Sequence, residues 1–548
     1  MEEIHTFSAV KSFIKTHWIV ASFFVFGLFM FVGVRLHAES YTWGVYNDDE
    51  YHTIQQGLNF IVNGEVENFR AQEATRWLVR AFYPYALVYM NTHMGGNVYL
   101  DGWKYPGHGY VTQNFVDHAN IPTVFSLDPN LRDLFHALRV EYVAFVALCI
   151  LTLLFFFLSK KYYVVAFGSI FLLGFNLDLL HEQKIFYIEP GMLASLALLI
   201  LAYCYVLYRG KISSKEILTF SFLAAWMVST KLSTIFFVAL PLILISLISW
   251  PDYKIIFNKV GTYILGLPLF YILINFPAFL TLNSFNTYLH DLFSNFWQYA
   301  AGSDPGITTQ PGIHHLGLII YQLEGLFGFA LYVLPVMVVF GLYYASKRER
   351  MILWPLLALV VLSIISLSGQ HVYLLRNAIP FYLPILLVAL LALEIVTRKF
   401  FSIYGWKHTV GGLLMLFLFS VSGIFFHAGG TAFITEFWPR PALALHSQLE
   451  MLHGRAQPGD RWYAVGFSRD FFKGGVYSNI ITFKQNVSLD LNSKEYPQLE
   501  SRYSAFTKGA VVIVAAQGNN KHLTHYILPK HFVDNLQFGN YYVFFNVR

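Results

Sequence analysis

The sequence predicts a polytopic α-helical membrane protein with about eleven transmembrane helices, a large first external loop with interfacial helices, and a small C-terminal external α/β domain. Hydrophobic residues make up 56% of the 548 positions and charged residues only 13%, whereas a soluble domain has about 25% charged residues. From about residue 430, charged residues return together with short β-branched and aromatic runs. We therefore assign residues 1–429 to a transmembrane domain and residues 430–548 to an external soluble domain.

The apolar runs and the basic residues between them predict the orientation of the chain. The runs begin near Trp18, Tyr142, Tyr162, Pro190, Ile217, Leu232, Ile255, Leu316, Ile352, Ala378 and Val410. Every second return carries Lys or Arg, as at Lys160–Lys161 and Lys347–Arg350, so the positive-inside rule places these returns and the N-terminus in the cytoplasm. We expect an inner (plasma) membrane protein whose C-terminal domain is periplasmic, with Trp18–Val34 retained as the first helix because it is long for a signal peptide.

The first external loop, residues 37–138, and the C-terminal domain have distinct patterns. In the loop, residues 51–62 and 71–90 show helical spacing of apolar side chains and predict amphipathic helices along the membrane interface. In the C-terminal domain, β-rich runs predict strands at 462–466, 480–483, 510–516 and 541–547, and residues 442–452 predict a helix.

Composition excludes several classes of function. The two cysteines, Cys149 and Cys204, lie inside apolar runs, so neither a disulfide framework nor a cysteine metal site is predicted. The net charge of +5 is small and its cations lie in short loops, so no nucleic-acid partner is expected. The sequence has no Walker A pattern and no glycine-rich dinucleotide loop after a strand, which argues against a nucleotide-driven pump or a nucleotide-sugar enzyme.

Three consecutive acidic residues, Asp48, Asp49 and Glu50, follow the first apolar run. Acidic side chains at a membrane surface are costly unless they face water, a metal ion or a polar substrate. A carboxylate here has the chemistry of a general base or of a ligand to a divalent cation. The alternative is a solvated cluster that begins a helix at Tyr51, because the helix dipole favours acidic residues at an N-terminus.

Ionisable residues also recur where later helices end on the external side. Lys184 and Glu189 lie at one such return, Lys231 at the next, and Arg376 at a third. Each cation alone is explained by a long side chain that reaches the headgroups. Three at one face favour an anion site instead, and a lipid phosphate or diphosphate is the natural anion at that depth.

Five short motifs carry a resemblance to a known family: Asp49-Glu50-Tyr51, Phe82-Tyr83-Pro84-Tyr85, Glu189-Pro190, Lys231-Leu232 and the stretch from Arg376 to Pro384. Their order and common face resemble the GT-C superfamily of membrane glycosyltransferases, near the bacterial protein mannosyltransferases and lipid A aminoarabinose transferases. The resemblance covers Trp18 to Leu393. This sequence departs from the family pattern by lacking a second proline after Tyr83, by Glu189 where Asp is commoner, by Leu232 for Gly, and by Asn377 for Tyr.

The resemblance implies an enzyme that moves a sugar from a polyprenyl-phosphate donor to a glycan, lipid or protein acceptor on the external face, with inversion. It implies a carboxylate base at Asp49, beside Asp48 and Glu50, and an acceptor- or cation-orienting Glu189. The donor phosphate is expected to bind Arg376, Lys231, Lys184 and Arg80. Membrane lipids are expected partners. No metal-ligand set is identified, and a divalent cation stays open as a cofactor.

Two other functions remain as alternatives. A lipid or glycan transporter or flippase needs ionisable residues near the bilayer midplane, often in repeated halves; Asp178 and Glu324 are the main candidates for such charges, and no repeats are evident. A glycan polymerase or ligase that uses lipid-linked substrates needs the same external cations. The large, carboxylate-headed first loop favours transfer of a single sugar.

Overall fold

The computed structural model of the chain describes residues 18–40, 50, 53–54, 56–57, 60, 73–93, 129–176, 179–180, 186, 188–301, 311–372, 375–400 and 411, together with five strands between residues 461 and 547. The chain divides into two compact units. One comprises Met1–Leu36, Thr53–Phe82 and Val140–Glu436, and the other His37–His52, Tyr83–Arg139 and Phe437–Arg548. The predicted domain boundary near residue 430 stays a prediction.

In the described part of the chain, thirteen α-helices have defined bounds, and a few further helical positions lie outside them. The thirteen helices are α1 (Trp18–Glu39), α2 (Glu73–His93), α3 (Pro129–Ser159), α4 (Tyr163–Phe175), α5 (Ile188–Arg209), α6 (Ser214–Thr230), α7 (Ala239–Ser249), α8 (Tyr253–Ile274), α9 (Leu282–Ala301), α10 (Ile313–Phe327), α11 (Ala330–Tyr344), α12 (Lys347–Gly369) and α13 (Ile379–Phe400). Short 3-10 helices at Leu232–Val238 and Leu375–Ala378 lead into α7 and α13.

These helices make the chain an integral membrane protein. Within the described residues, six helical segments are long and apolar enough to cross a membrane, and a seventh span results if α10 and α11, which meet at a bend of 88°, are counted as one. Two further apolar helices, Tyr163–Phe175 and Thr234–Ser249, are shorter. The predicted eighth run is therefore two helices with a sharp bend instead of one straight helix. The total of eleven spans is not confirmed, and the run at Val410 lies almost entirely outside the described residues.

Helix α13 is at the centre of the transmembrane unit, and nearly all of its apolar side chains are buried. It packs against α4, α5, α11 and α12. The contact with α11 is close because Gly341 has no side chain: a Cβ atom added there would lie 2.6 Å from Cβ of Ala392 on α13. Small residues let transmembrane helices approach in this way.

A buried arginine joins α1 to α4 inside the same unit. Helix α1 contains a π-helical turn, Phe29–Gly33. Arg35 follows this turn, and its guanidinium donates hydrogen bonds to the carbonyls of Met30, Leu173 and Gly174 at 2.8, 2.8 and 2.7 Å. Leu173 and Gly174 lie in the last turn of α4, where main-chain carbonyls lack helical partners and favour a cation.

The C-terminal part of the chain forms one mixed sheet in the order β2-β1-β3-β5-β4, with strands β1 (Arg461–Val465), β2 (Ile480–Phe483), β3 (Ala510–Ala515), β4 (Phe532–Phe538) and β5 (Tyr541–Val547). Strand β1 is parallel to β2 and β3, while β5 is antiparallel to β3 and β4. Strands form at all four predicted runs, and β4 is an addition. Its sequence, FVDNLQF, interrupts the apolar pattern with three polar residues. The sequence pattern therefore did not predict a strand at this position.

Candidate functional site

Four polar side chains from three separate segments meet in the transmembrane unit, and we call them the Glu189 cluster: Glu189, Lys231, Arg376 and Asn377. Lys231 Nζ donates to Glu189 Oε1 at 2.7 Å and to Asn377 Oδ1 at 2.8 Å. Arg376 Nε lies 3.9 Å from the same Glu189 oxygen, an ion-pair distance longer than a hydrogen bond. The structure thus brings together three of the residues that the sequence predicts for the site.

Helix ends hold the first two members in place. Glu189 lies in the first turn of α5, where the helix dipole favours a carboxylate. Lys231 ends α6: its N–H donates to the carbonyl of Met227 at 3.2 Å, and its carbonyl accepts from the hydroxyl of Thr234 at 2.8 Å. The extended backbone at Lys231, with φ −158° and ψ 130°, separates α6 from the following 3-10 helix and leaves the lysine on the break between them.

The other two members, Arg376 and Asn377, share the short 3-10 helix that precedes α13. Pro380 follows in the first turn of α13, and Pro384 lies inside the helix. Proline fixes its own φ and is tolerated in the first turn of a helix, where main-chain N–H groups have no helical acceptor. The sequence from Arg376 to Pro384 therefore encodes a compact turn that presents two adjacent polar side chains to Lys231 and Glu189.

The cluster combines buried acceptors and donors with partly accessible cations. Glu189 is 1% exposed, whereas the side chains of Lys231 and Arg376 are 18% and 26% exposed. Among the described residues, Glu189 Oε2 and Asn377 Nδ2 are buried without a hydrogen-bond partner. Buried polar atoms are nearly always hydrogen-bonded in folded proteins, so these two atoms mark a place where a polar ligand fits.

An aromatic wall lies beside the cluster. The ring of Tyr142 on α3 stacks on Phe186 with centroids 4.2 Å apart. A Cβ atom added at Gly191, two residues after Glu189, would lie 2.8 Å from the hydroxyl of Tyr142 and 3.8 Å from Oγ1 of Thr75 on α2. Gly191 therefore lets a tyrosine from α3 and a threonine from the predicted interfacial helix approach the first turn of α5.

Arg80, also predicted to bind the donor phosphate, belongs to a different group. Its Nη2 donates to Glu73 Oε1 at 2.6 Å, and Arg76 donates to the other oxygen of Glu73 at 2.9 Å. The guanidinium carbon of Arg80 also lies 4.4 Å from the ring centroid of Trp77. Burial lowers the pKa of Arg80, and the Glu73 carboxylate opposes this shift. Nη1 of Arg80 is buried without a hydrogen-bond partner among the described residues, and the contact of Arg80 with a donor phosphate stays a prediction.

Glu50 is fully buried and forms a bidentate ion pair with Arg139. Its Oε1 accepts from Arg139 Nε and its Oε2 from Arg139 Nη2, both at 2.7 Å. Arg139 also contacts Glu39 at 3.3 Å, and His136 lies 2.6 Å from the other oxygen of Glu39. A general base needs an oxygen that can reach a substrate proton, and this pairing occupies both oxygens of Glu50. The geometry therefore favours a structural role for Glu50 over the predicted catalytic one.

The predicted site residues Asp48, Asp49 and Lys184 lie outside the described residues, as does Asp178. Within the part of the chain that is described, no three His, Cys, Asp or Glu side chains group together in a way that fits a metal ion. Glu189 Oε1 is already bonded to the ammonium of Lys231, and a neighbouring cation disfavours a metal ion there. The predicted buried, free state of Cys149 and Cys204 is confirmed.

Two polar residues of interest were missed by sequence reasoning. Asn377, noted only as a departure from the family pattern, holds Lys231. Arg139, in the N-terminal half of α3, forms ion pairs with Glu50 and Glu39. Its position beside the second apolar run was a usable signal, because the predicted topology puts it at an external helix end, where a basic residue runs against the positive-inside bias.

Comparison with solved structures finds similar chains at low sequence identity. A crystal structure of ArnT from Cupriavidus metallidurans bound to undecaprenyl phosphate has a TM-score of 0.48 and 11% identity, covering 96% of this chain and 98% of that one. The apo state of the same protein has a TM-score of 0.46, 11% identity and 98% coverage of both chains. The archaeal oligosaccharyltransferase AglB from Archaeoglobus fulgidus, in complex with an inhibitory peptide and a dolichol-phosphate, has a TM-score of 0.41, 12% identity, and coverage of 92% and 70%.

No protein-family model matches the sequence, and no curated protein matches it. Because the structural similarities are this low, we base the proposed function on the side chains of the Glu189 cluster.

Proposed function

We propose that this protein is an integral membrane glycosyltransferase that transfers a sugar from a polyprenyl-phosphate donor to an acceptor on the external face of the plasma membrane. The observation that carries the proposal is the Glu189 cluster. Lys231 and Arg376, from segments far apart in sequence, converge on one carboxylate at helix ends of a membrane protein. Such a pair of cations suits a lipid phosphate, which is the anionic part of a donor lying in the bilayer.

In the proposed reaction, a hydroxyl oxygen of the acceptor forms a bond to the anomeric carbon of the sugar. The bond between that carbon and the phosphate oxygen breaks, and the electron pair leaves with the lipid phosphate. Lys231 and Arg376 stabilise the negative charge that develops on this phosphate, an effect often worth about two powers of ten per donor group. Attack opposite to the leaving group inverts the anomeric centre, and Asp49 accepts the proton of the acceptor hydroxyl.

Glu189 has a positioning role in this proposal. Its Oε1 holds the ammonium of Lys231, which in turn is fixed on its other side by Asn377. The second oxygen, Oε2, has no hydrogen-bond partner among the described residues and is the natural acceptor for a hydroxyl of the sugar or of the acceptor. Glu189 thus orients a cation directly and a substrate hydroxyl by hydrogen bonding.

Binding of a short-chain polyprenyl phosphate to the purified full-length protein tests the proposal. We expect Lys231→Met, which keeps the apolar stem and removes the charge, to weaken binding by about tenfold or more. Lys215→Met is the matched control, because Lys215 is exposed in a basic return. Equal affinities for the Lys231→Met variant, the Lys215→Met variant and the parent protein would contradict a phosphate site at the cluster.

Mass spectrometry of the lipids that copurify with the protein identifies the donor substrate. We expect a polyprenyl phosphate, and a sugar still attached to it names the donor. Recovery of bulk phospholipid alone, combined with no measurable binding of polyprenyl phosphate, would remove the basis for a lipid-donor enzyme and favour the transporter alternative.

A further inference from the structure

A groove with a cavity volume of about 550 Å³ lies between α7 and α12. Its walls are apolar and come from side chains at helical spacing: Ile243 and Leu247 on α7, and Trp354 and Ala358 on α12. Its size falls within the range of small-molecule and lipid sites. The groove is separate from the Glu189 cluster, since none of its lining residues belongs to that cluster.

One end of the groove is basic. Lys347 and Arg350, both exposed and one turn apart at the start of α12, line this end. Neither forms an ion pair with an acidic side chain in the described part of the chain; Arg350 instead donates to the carbonyl of Tyr343 at 3.2 Å.

The acidic residue nearest in sequence does not neutralise these cations. Glu349 is 8% exposed and turned inward, where it accepts hydrogen bonds from the N–H of Ser346 at 2.8 Å and from the hydroxyl of Tyr162 at 2.9 Å. Arg348, the remaining cation of this turn, lies over the ring of Tyr208 with its guanidinium carbon 5.5 Å from the centroid. The positive charge at the groove therefore comes from Lys347 and Arg350.

We propose that this groove binds a diacyl phospholipid with a negatively charged headgroup from the surrounding leaflet. The headgroup phosphate contacts Lys347 and Arg350, one acyl chain lies along the apolar walls, and Trp354, which is 57% exposed, borders the lipid at the interface. Charge complementarity selects this occupant, because basic sites between transmembrane helices attract anionic headgroups. A Trp at the interface is typical of membrane proteins.

Native mass spectrometry of the full-length protein, with phosphatidylglycerol and phosphatidylcholine as probes, tests the proposal. We expect phosphatidylglycerol to bind more tightly than phosphatidylcholine. The double variant Lys347→Gln, Arg350→Gln should weaken phosphatidylglycerol binding by about tenfold and abolish the preference. The matched control, Lys211→Gln with Lys215→Gln, removes two exposed cations from another basic return and should leave both affinities unchanged.

A second variant separates the groove from general surface charge. Ala358→Trp fills the apolar wall and keeps both cations, so we expect phosphatidylglycerol binding to fall while the thermal stability in detergent stays that of the parent. Unchanged phosphatidylglycerol binding in both groove variants would overturn the proposal. Complete displacement of phosphatidylglycerol by an equal concentration of short-chain polyprenyl phosphate would also overturn it, because the site would then belong to the polyprenyl carrier.

Discussion

At the scale of single residues, two buried carboxylates show how environment assigns a role. Glu50 and Glu189 are both almost fully buried. Both oxygens of Glu50 accept from Arg139, whereas Glu189 uses Oε1 for Lys231 and keeps Oε2 without a hydrogen-bond partner among the described residues. Only Glu189 therefore has an oxygen left for a substrate, and we expect substitutions at the two positions to act on different properties.

For Glu50, we expect the effect on stability to exceed the effect on chemistry. Glu50→Gln leaves the guanidinium of Arg139 without its bidentate partner, and breaking a buried pair from one side costs about 3–5 kcal/mol. The double variant Glu50→Gln, Arg139→Met removes both charges of this pair but leaves the buried Glu39 carboxylate without Arg139, so it should recover only part of that loss. Thermal unfolding in detergent measures the stability of the single variant and of the double variant. A stable Glu50→Gln variant with no transfer activity would instead make Glu50 a catalytic group.

For Asp49, we expect the effect on chemistry to exceed the effect on stability. Asp49→Asn keeps the shape of the side chain and removes the base, so transfer should fall by about two to four powers of ten. Thermal stability and binding of a short-chain polyprenyl phosphate should stay close to those of the parent. Retained turnover in this variant, with normal binding, would remove Asp49 from the role of base.

At the scale of elements, the first turn of α5 depends on one glycine. A Cβ atom at position 191 would lie 2.8 Å from the hydroxyl of Tyr142, a separation that real Cβ atoms do not tolerate without movement of the ring. Tyr142 is buried and stacked on Phe186, so we expect Gly191→Ala to displace the wall of the site. Overpacking of this kind costs about 1–3 kcal/mol.

Transfer rates test this expectation when they are compared with a matched glycine. A Cβ atom added at Gly317 on α10 would meet open space, so Gly317→Ala should be neutral or stabilising because alanine favours helix by about 1 kcal/mol. Gly191→Ala should lower both thermal stability and transfer. Equal behaviour of the two variants would show that Tyr142 can move freely and that its contact with α5 is unimportant.

The elements also show what the sequence can predict. The long apolar runs predicted most of the helices, because a span that crosses the lipid requires apolar side chains along its length. The 88° bend between α10 and α11 was missed, since Gly328, with φ +57°, is one glycine among many in an apolar stretch. The convergence of Glu189, Lys231 and Arg376 was expected from their common face, but the hydrogen bond from Lys231 to Asn377 depends on three-dimensional packing. The pairing of Glu50 with Arg139 joins residues 89 positions apart, which no local pattern specifies.

At the scale of the whole molecule, the buried charged side chains of Arg35 and Glu394 hold helices together, which favours a structural role for them over a transport path. Arg35 donates to three main-chain carbonyls. Glu394, buried in α13, accepts from the N–H groups of Tyr163 and Val165 at 3.0 and 3.1 Å and thereby caps the start of α4. These charged side chains form hydrogen bonds with main-chain groups at the ends of α4, because a buried charge in a membrane needs polar partners.

The orientation of the molecule decides which side of the membrane the Glu189 cluster faces, and the positive-inside rule predicts the external side for the cluster and the cytoplasmic side for the basic groove. The two native cysteines are buried and free, so a single introduced cysteine can be labelled selectively. His290 on α9 and Lys215 on α6 both have exposed side chains. In intact cells, an impermeant maleimide should label His290→Cys and spare Lys215→Cys, and both should react after permeabilisation. The reverse pattern would place the cluster on the cytoplasmic face, where a polyprenyl-phosphate donor would have to be used from the inner leaflet.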